Sequence, residues 1–155
     1  MPDLITHTAA AYAFARPTAF PLNRAMFFLG TIFPDIISRP FYIIFPALYP
    51  YTVAVHTPLF IIIAALFFSE FFVASIRPAI RKALFAGIAL HLGLDALQKH
   101  HLDGYFWLFP FSWESYSGGL FWPGQAVEWI PVWVAIILVI ESILWIRRRF
   151  QNGLS

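Results

Sequence analysis

The chain has 155 residues, of which 60% are hydrophobic, 19% aromatic and only 12% charged, with a mean hydropathy of +0.72. Soluble domains run nearer to about 45–50% apolar and about 25% charged, so a water-soluble fold of this length would lack the polar surface to cover itself. The small net charge of +2 and the lack of cysteine argue against nucleic-acid binding, disulfides and thiolate metal sites; a metal here would need His, Asp or Glu.

Five apolar segments follow in order. Leu4 to Ala15 ends at "ARP" and carries His7 near its start. No basic residue precedes it, Asp3 being acidic, so it reads as a retained segment and not a secretory signal. Arg24 to Ile37 contains "GTIFPDI", with Pro34 and Asp35 near its end. Val53 to Ile76 opens on "HTPLF", where Thr57 and Pro58 suit a helix cap and first turn directly after His56. Ala83 to Gln98 leads into "ALHLGLDALQKHH", which places His91, Asp95, Lys99, His100 and His101 on or beside an apolar helix. Glu128 to Ile146 is the last, before a basic tail.

A helix rises about 1.5 Å per residue, and a bilayer core needs about 20 residues. The third and fifth segments are long enough to span; the first, second and fourth are short. The expected fold is all-α: an integral membrane bundle of about five short-to-full spanning helices, in one domain over residues 1–150, with a polar tail at 151–155. No internal repeat or low-complexity segment interrupts it.

The basic residues set the orientation. Arg16, Arg24, Arg77, Arg81, Lys82, Arg147, Arg148 and Arg149 all fall on one side of such a bundle, leaving only Arg39 and Lys99 on the other. The N-terminus is therefore expected outside and the C-terminus inside, as a multi-pass protein of the bacterial cytoplasmic membrane. The loops rich in Trp, Tyr and Pro then lie outside, at headgroup level. This orientation also brings His7, Asp35, His56, His91, Asp95 and His101 to the outer side, whereas Glu70 and Glu141 fall deeper, toward the cytoplasm.

Ionisable groups in membrane helices cost a few kcal/mol and persist when paired, hydrated or metal-bound. His91 and Asp95 share a helix face at i, i+4, as two ligands of one metal would. Taken singly, each position has a plainer role: an interhelical hydrogen bond for a His, a turn for Asp35, a helix entry for His56. Their convergence on one side favours a shared metal site, with zinc the best match to His and carboxylate and Mn or Fe less selective alternatives.

The order "ITHTAAAYAF", "GTIFPDI", "HTPLF", "GIALHLGLD" resembles the YdjM-like inner-membrane metal-dependent hydrolases of bacteria, over roughly residues 1 to 125. That family is distantly similar to the zinc-dependent phospholipase C and single-strand nuclease superfamily, whose H-x3-D-x2-Q-x2-H pattern is matched by His91, Asp95, Gln98 and His101. The resemblance implies that His56, His91, Asp35 and Asp95 hold one metal, that Asp95 bridges to a second held by His7, and that His101 begins a third site. The pattern departs downstream: no His follows His101, so Glu114, Glu128 or Asp103 are the remaining candidates, and Met1 stands six residues before His7 where the soluble enzymes use a terminal Trp. Two divalent ions are therefore expected in place of three.

The expected activity is hydrolysis of a phosphoester on a membrane lipid or lipid-linked substrate at the outer side. Asp35 and Asp95 are the catalytic candidates, and Lys99 and Arg39 are candidates for the substrate's negative charge. The alternatives are a small proton- or metal-ion-coupled transporter and a metal-stabilised scaffold without catalysis.

Overall fold

The structure, a computed structural model, describes residues 4–17, 23–48, 51, 54–99 and 105–152. Over these the chain is all-helical, with α1 (Leu4–Ala15), α2 (Arg24–Ile44), α3 (Pro58–Ser69), α4 (Arg77–Leu97) and α5 (Ile130–Asn152). Short 3-10 turns lie at Pro46–Leu48 and Pro123–Ala126, and the only β-pairing among the described residues is two isolated bridges, Gln98–Phe121 and Tyr105–Tyr116.

The centre of the bundle is the pair α2 and α4, which share its most extensive interface. Two glycines make their approach close. A Cβ on Gly30 would run into the Leu84 carbonyl, and one on Gly87 into the Phe27 carbonyl, so the helices meet backbone to backbone, as small residues permit. Gly30 meets Leu84 while Asp35 comes near His91, so the two helices run in the same direction. Phe33, Ile61, Ala65 and Ile88 form an apolar core on one flank, and Ala11, Ala15 and Phe27 form a second against α1.

The connections are tied by polar groups. Asn23 caps α2, its Oδ1 accepting from the Met26 N–H at 3.1 Å. At the turn between α3 and α4, Glu70 pairs with Arg77 at 2.7 Å and with Arg81, while Arg81 Nε donates to Ser69 Oγ at 2.8 Å. The returning loop closes the C-terminus of α4: the N–H groups of Gly118 and Leu120 donate to the carbonyls of Ala96 and Leu97 at 2.8 and 2.9 Å. These are helix-end carbonyls without an intrahelical donor. Helix α5 packs chiefly on α1, where Arg16 pairs with Glu141 at 2.5 Å and Tyr12 donates to the same carboxylate.

Several lengths differ from the sequence expectation. The third segment forms only the 12-residue helix Pro58–Ser69, because the Glu70, Arg77 and Arg81 pairs fold residues 70–76 into the turn. The second segment continues through Pro34 and Pro40 to Ile44; an interior proline costs roughly 3 kcal/mol, which the long packing of α2 along α4 offsets. The fourth starts six residues earlier than expected, with Pro78 in the first turn of α4, where a missing N–H costs nothing. The basic tail is helical to Asn152. Among the described residues, one helix, Ile130–Gln151, is long and apolar enough to cross a membrane.

Candidate metal centre

Four elements carry the polar residues of the core to one place: α1 brings His7, α2 brings Asp35, the turn before α3 brings His56, and α4 brings His91 and Asp95. His7, His91 and Asp95 are fully buried, Asp35 nearly so, and His56 lies at the edge at 9% exposure. The turn that presents His56 is held by Thr57, whose N–H and hydroxyl both reach the Ala54 carbonyl, at 3.2 and 2.7 Å. Thr57 is thus the cap residue of α3 by position, but its hydroxyl serves the turn and not the helix N–H groups.

Three ligand atoms face one another. His56 Nε2 is 3.1 Å from His91 Nε2 and 3.1 Å from Asp95 Oδ2, and His91 Nε2 is 3.2 Å from the same oxygen. A tetrahedral centre with bonds of about 2.0–2.1 Å separates its ligand atoms by about 3.3 Å, so this triangle is close to one face of such a coordination sphere. The other oxygen of Asp95 points elsewhere: Oδ1 is 3.3 Å from His7 Nε2. One carboxylate therefore faces two groups of imidazoles. Ligand atoms of Asp35, His56 and His91 lie within 4.8 Å of one another, as do those of His7, His91 and Asp95.

The chemistry of these atoms follows from their outer partners. His91 Nδ1 is 2.7 Å from the Thr31 carbonyl oxygen, which can only accept. The proton is therefore on Nδ1, and a neutral His91 presents a lone pair at Nε2. That lone pair faces a carboxylate oxygen across 3.2 Å. Buried acceptor against buried acceptor is unfavourable without a cation or a shared proton between them, and a divalent ion satisfies all three atoms at once. The donor set, imidazole nitrogen and carboxylate oxygen, fits zinc and less selectively manganese or iron.

The remaining candidates lie around or away from this centre. Arg39 Nη2 is 2.7 Å from Asp35 Oδ2, at i, i+4 on α2, and 21% of the Arg39 side chain stays exposed. Lys99 lies with its ammonium 5.4 Å from the Trp122 ring. Glu114 and Glu128 are on the exposed surface, outside the cluster. His100, His101, Asp103 and the first three residues of the chain lie outside the described residues. Gln98 caps α4 with its side chain fully buried, and neither its nitrogen nor its oxygen finds a hydrogen-bond partner among the described residues.

Three neighbours of the cluster were not anticipated from the sequence: Thr31, Ser38 and Tyr105. Ser38 Oγ is 2.8 Å from His56 Nδ1 and 2.9 Å from the Pro34 carbonyl. Thr31, Asp35 and Ser38 recur at i, i+4 and i+7 on α2, a spacing that marks one helix face and is the signal that groups them. Tyr105 is buried, its ring edge-on to His56 at 5.4 Å between centroids, and no local pattern points to it.

No family model matches this chain, and neither a curated protein nor a solved structure is significantly similar to it.

Proposed function

We propose that the protein is a membrane-embedded, divalent-metal-dependent hydrolase that cleaves a phosphoester of a lipid or lipid-linked substrate at the outer side of the bacterial cytoplasmic membrane. The observation that carries this reading is the triangle of His56 Nε2, His91 Nε2 and Asp95 Oδ2 at 3.1–3.2 Å, together with the aim of Asp95 Oδ1 at His7. Two ions, preferably zinc, suit this arrangement, one among His56, His91, Asp95 and Asp35 and one at His7 and Asp95.

Bound divalent metal supplies two things to such a reaction: a water acidified to near pH 7 and positive charge for the attacking and leaving oxygens of the ester. The chain supplies the rest. Asp95 holds the two halves of the site in register through its two oxygens. Asp35 keeps Oδ2 on Arg39; its Oδ1 is the atom left to ligate, and takes a proton only where it is not engaged by the metal. Arg39, partly exposed beside Asp35, meets the substrate's negative charge; Lys99, at the end of α4, does so from the loop side. Tyr105 closes the His56 side against bulk water.

The membrane setting is supported by surface and depth. None of the apolar α5 stretch is buried inside the molecule, and large exposed apolar faces call for lipid or protein cover. The loop between α4 and α5 exposes Leu108 at 62%, Phe111 at 86% and Trp113 at 71%, residues that suit the bilayer interface. Along α1, Arg16 follows His7 by nine residues, about 13.5 Å at 1.5 Å per residue. The Arg16–Glu141 pair and the cluster therefore lie at different depths, and with the basic residues inside the cluster falls toward the outer side. An apolar cleft of about 470 Å³ runs beside α1, lined by Leu4, Ile5, Thr8, Tyr12, Phe28 and Ile137. Its residues flank His7, and it suits an acyl or isoprenoid chain entering from the membrane.

The full burial of His7, His91 and Asp95 also favours a second reading, a scaffold in which metal only fastens α1, α3 and α4 together. Turnover of phospholipid and isoprenoid-phosphate substrates by the metal-loaded wild type, compared with Asp95→Asn, separates the two. The hydrolase reading expects turnover that falls by at least about 100-fold in the variant; no turnover by the loaded wild type on any phosphoester leaves the scaffold. Ion flux through the protein in liposomes would instead support a transporter.

A further inference from the structure

We infer that Ser38 is a positioning residue whose hydroxyl lets His56 exchange one neutral tautomer for the other when metal enters; this rests on the metal-site reading above. The two imidazoles of the triangle are held differently. His91 Nδ1 meets a backbone carbonyl, Thr31, at 2.7 Å, which permits only the Nδ1–H form. His56 Nδ1 meets a hydroxyl, Ser38 Oγ, at 2.8 Å, and a hydroxyl both donates and accepts.

Each form of His56 then has a complete set of partners. In the metal-free site, Nε2–H donates toward Asp95 Oδ2 and His91 Nε2, each 3.1 Å away, and so supplies the positive end that those acceptors need. Nδ1 is then an acceptor, and the Ser38 hydroxyl turns to donate to it. In the metal-bound site, Nε2 must offer its lone pair. The proton leaving Nε2 is matched by one arriving on Nδ1, so the ring stays neutral and the proton count is unchanged. Nδ1–H now donates to Ser38 Oγ, and the hydroxyl proton turns to the Pro34 carbonyl, 2.9 Å from the same oxygen.

Ser38 is 3% exposed, so bulk water does not replace it easily. With alanine there, the Nδ1–H form would bury a donor without an acceptor, whereas the Nε2–H form would keep its bond to Asp95. The balance moves toward the form that cannot bind metal. Outer partners of this kind are typically worth 10- to 100-fold in metal affinity. Threonine carries the same hydroxyl and preserves both states.

The test uses the full-length protein in detergent micelles. Zinc affinity is measured by competition with a chelator for wild type, Ser38→Ala and Ser38→Thr. The His56 tautomer is read from long-range proton–nitrogen NMR spectra of the metal-free and zinc-loaded wild type. We expect Ser38→Ala to bind zinc about 10- to 100-fold more weakly, Ser38→Thr to stay within a few-fold, and His56 to change from Nε2–H to Nδ1–H on loading. Equal affinity in Ser38→Ala, or one unchanged His56 tautomer in both states of the wild type, overturns the inference and leaves the metal site standing. Wild type that takes up no zinc overturns the metal site itself. The wild-type tautomer comparison decides the matter even if Ser38→Ala does not fold.

Discussion

His91 Nδ1 donates to the Thr31 carbonyl across 2.7 Å, one helical turn past Gly87, whose own close contact on α2 includes the Thr31 nitrogen. The bond joins two levels of the molecule. The glycine-mediated approach of the helices brings a backbone carbonyl of α2 within reach of a ring on α4. That carbonyl then fixes which nitrogen of His91 faces Asp95. Packing of the bundle and chemistry of the cluster therefore depend on the same contact.

Substitution of a glycine tests that approach. Gly87→Ala places a Cβ against the Phe27 carbonyl and the Thr31 nitrogen, two backbone groups that cannot step aside. We expect a loss of about 1–3 kcal/mol in unfolding free energy and weaker metal binding as Thr31 moves off His91. Gly93→Ala is the control, because nothing lies within 4 Å of its added Cβ; it should be neutral or stabilising by up to about 1 kcal/mol. Thermal unfolding in detergent, run with a chelator competition, reads both effects.

Asp95 is expected to govern both halves of the cluster, since Oδ1 faces His7 and Oδ2 faces His56 and His91. Asp95→Asn keeps the shape but replaces one oxygen with an amide that cannot ligate. Metal content should fall by at least one equivalent per chain, whereas His7→Ala should lower it by one and leave the His56–His91 half filled. Equal metal content in wild type and Asp95→Asn would argue against a bridging role.

The tie between α1 and α5 includes a charge pair. Arg16 reaches both oxygens of Glu141, at 2.5 and 3.0 Å, and Tyr12 donates to the same group. Glu141→Gln should loosen α5 and increase its protease sensitivity, and Arg16→Glu should do the same. Combining Arg16→Glu with Glu141→Arg should restore protection, at least in part. Failure of the double exchange to recover anything would indicate that packing, and not charge, holds α5.

Orientation is directly accessible, because the chain contains no cysteine. A single Phe111→Cys, at the 86% exposed loop position, should react with an impermeant thiol reagent on intact spheroplasts. A single Gln151→Cys, at the end of α5, should react only after permeabilisation. The reverse pattern would invert the proposed orientation and put the cluster on the cytoplasmic side.

Much of the cluster was legible from residue order. His91 and Asp95 declare a shared face through their spacing, and the one-sided distribution of Arg and Lys groups His7, Asp35 and His56 with them; the structure brings these five together. Helix ends were less legible. The stretch around Pro40 reads locally as a loop after Ile37, yet α2 passes through Pro34 and Pro40 to Ile44 because its packing on α4 outweighs a local preference. The charged stretch "RPAIRK" reads as a loop, yet it opens α4, since its arginines are spent on Glu70, Ser69 and the Phe72 carbonyl. The Thr31 carbonyl was not legible at all, because any residue carries one and only the crossing of two helices gives it a role. The pairing of Arg16 with Glu141 was hidden for a similar reason: sequence places both on the inner side, and only the docking of α1 on α5 makes them partners.

The central claim is that the His and Asp cluster binds metal. Elemental analysis of wild-type protein, purified without chelator and normalised to quantitative amino-acid analysis, tests it most directly. We expect about two equivalents of a divalent transition metal per chain, zinc foremost, falling sharply in a His91→Ala Asp95→Asn variant. A folded wild-type preparation that carries no such metal, and takes up none on dialysis against zinc, manganese or iron(II), would contradict it.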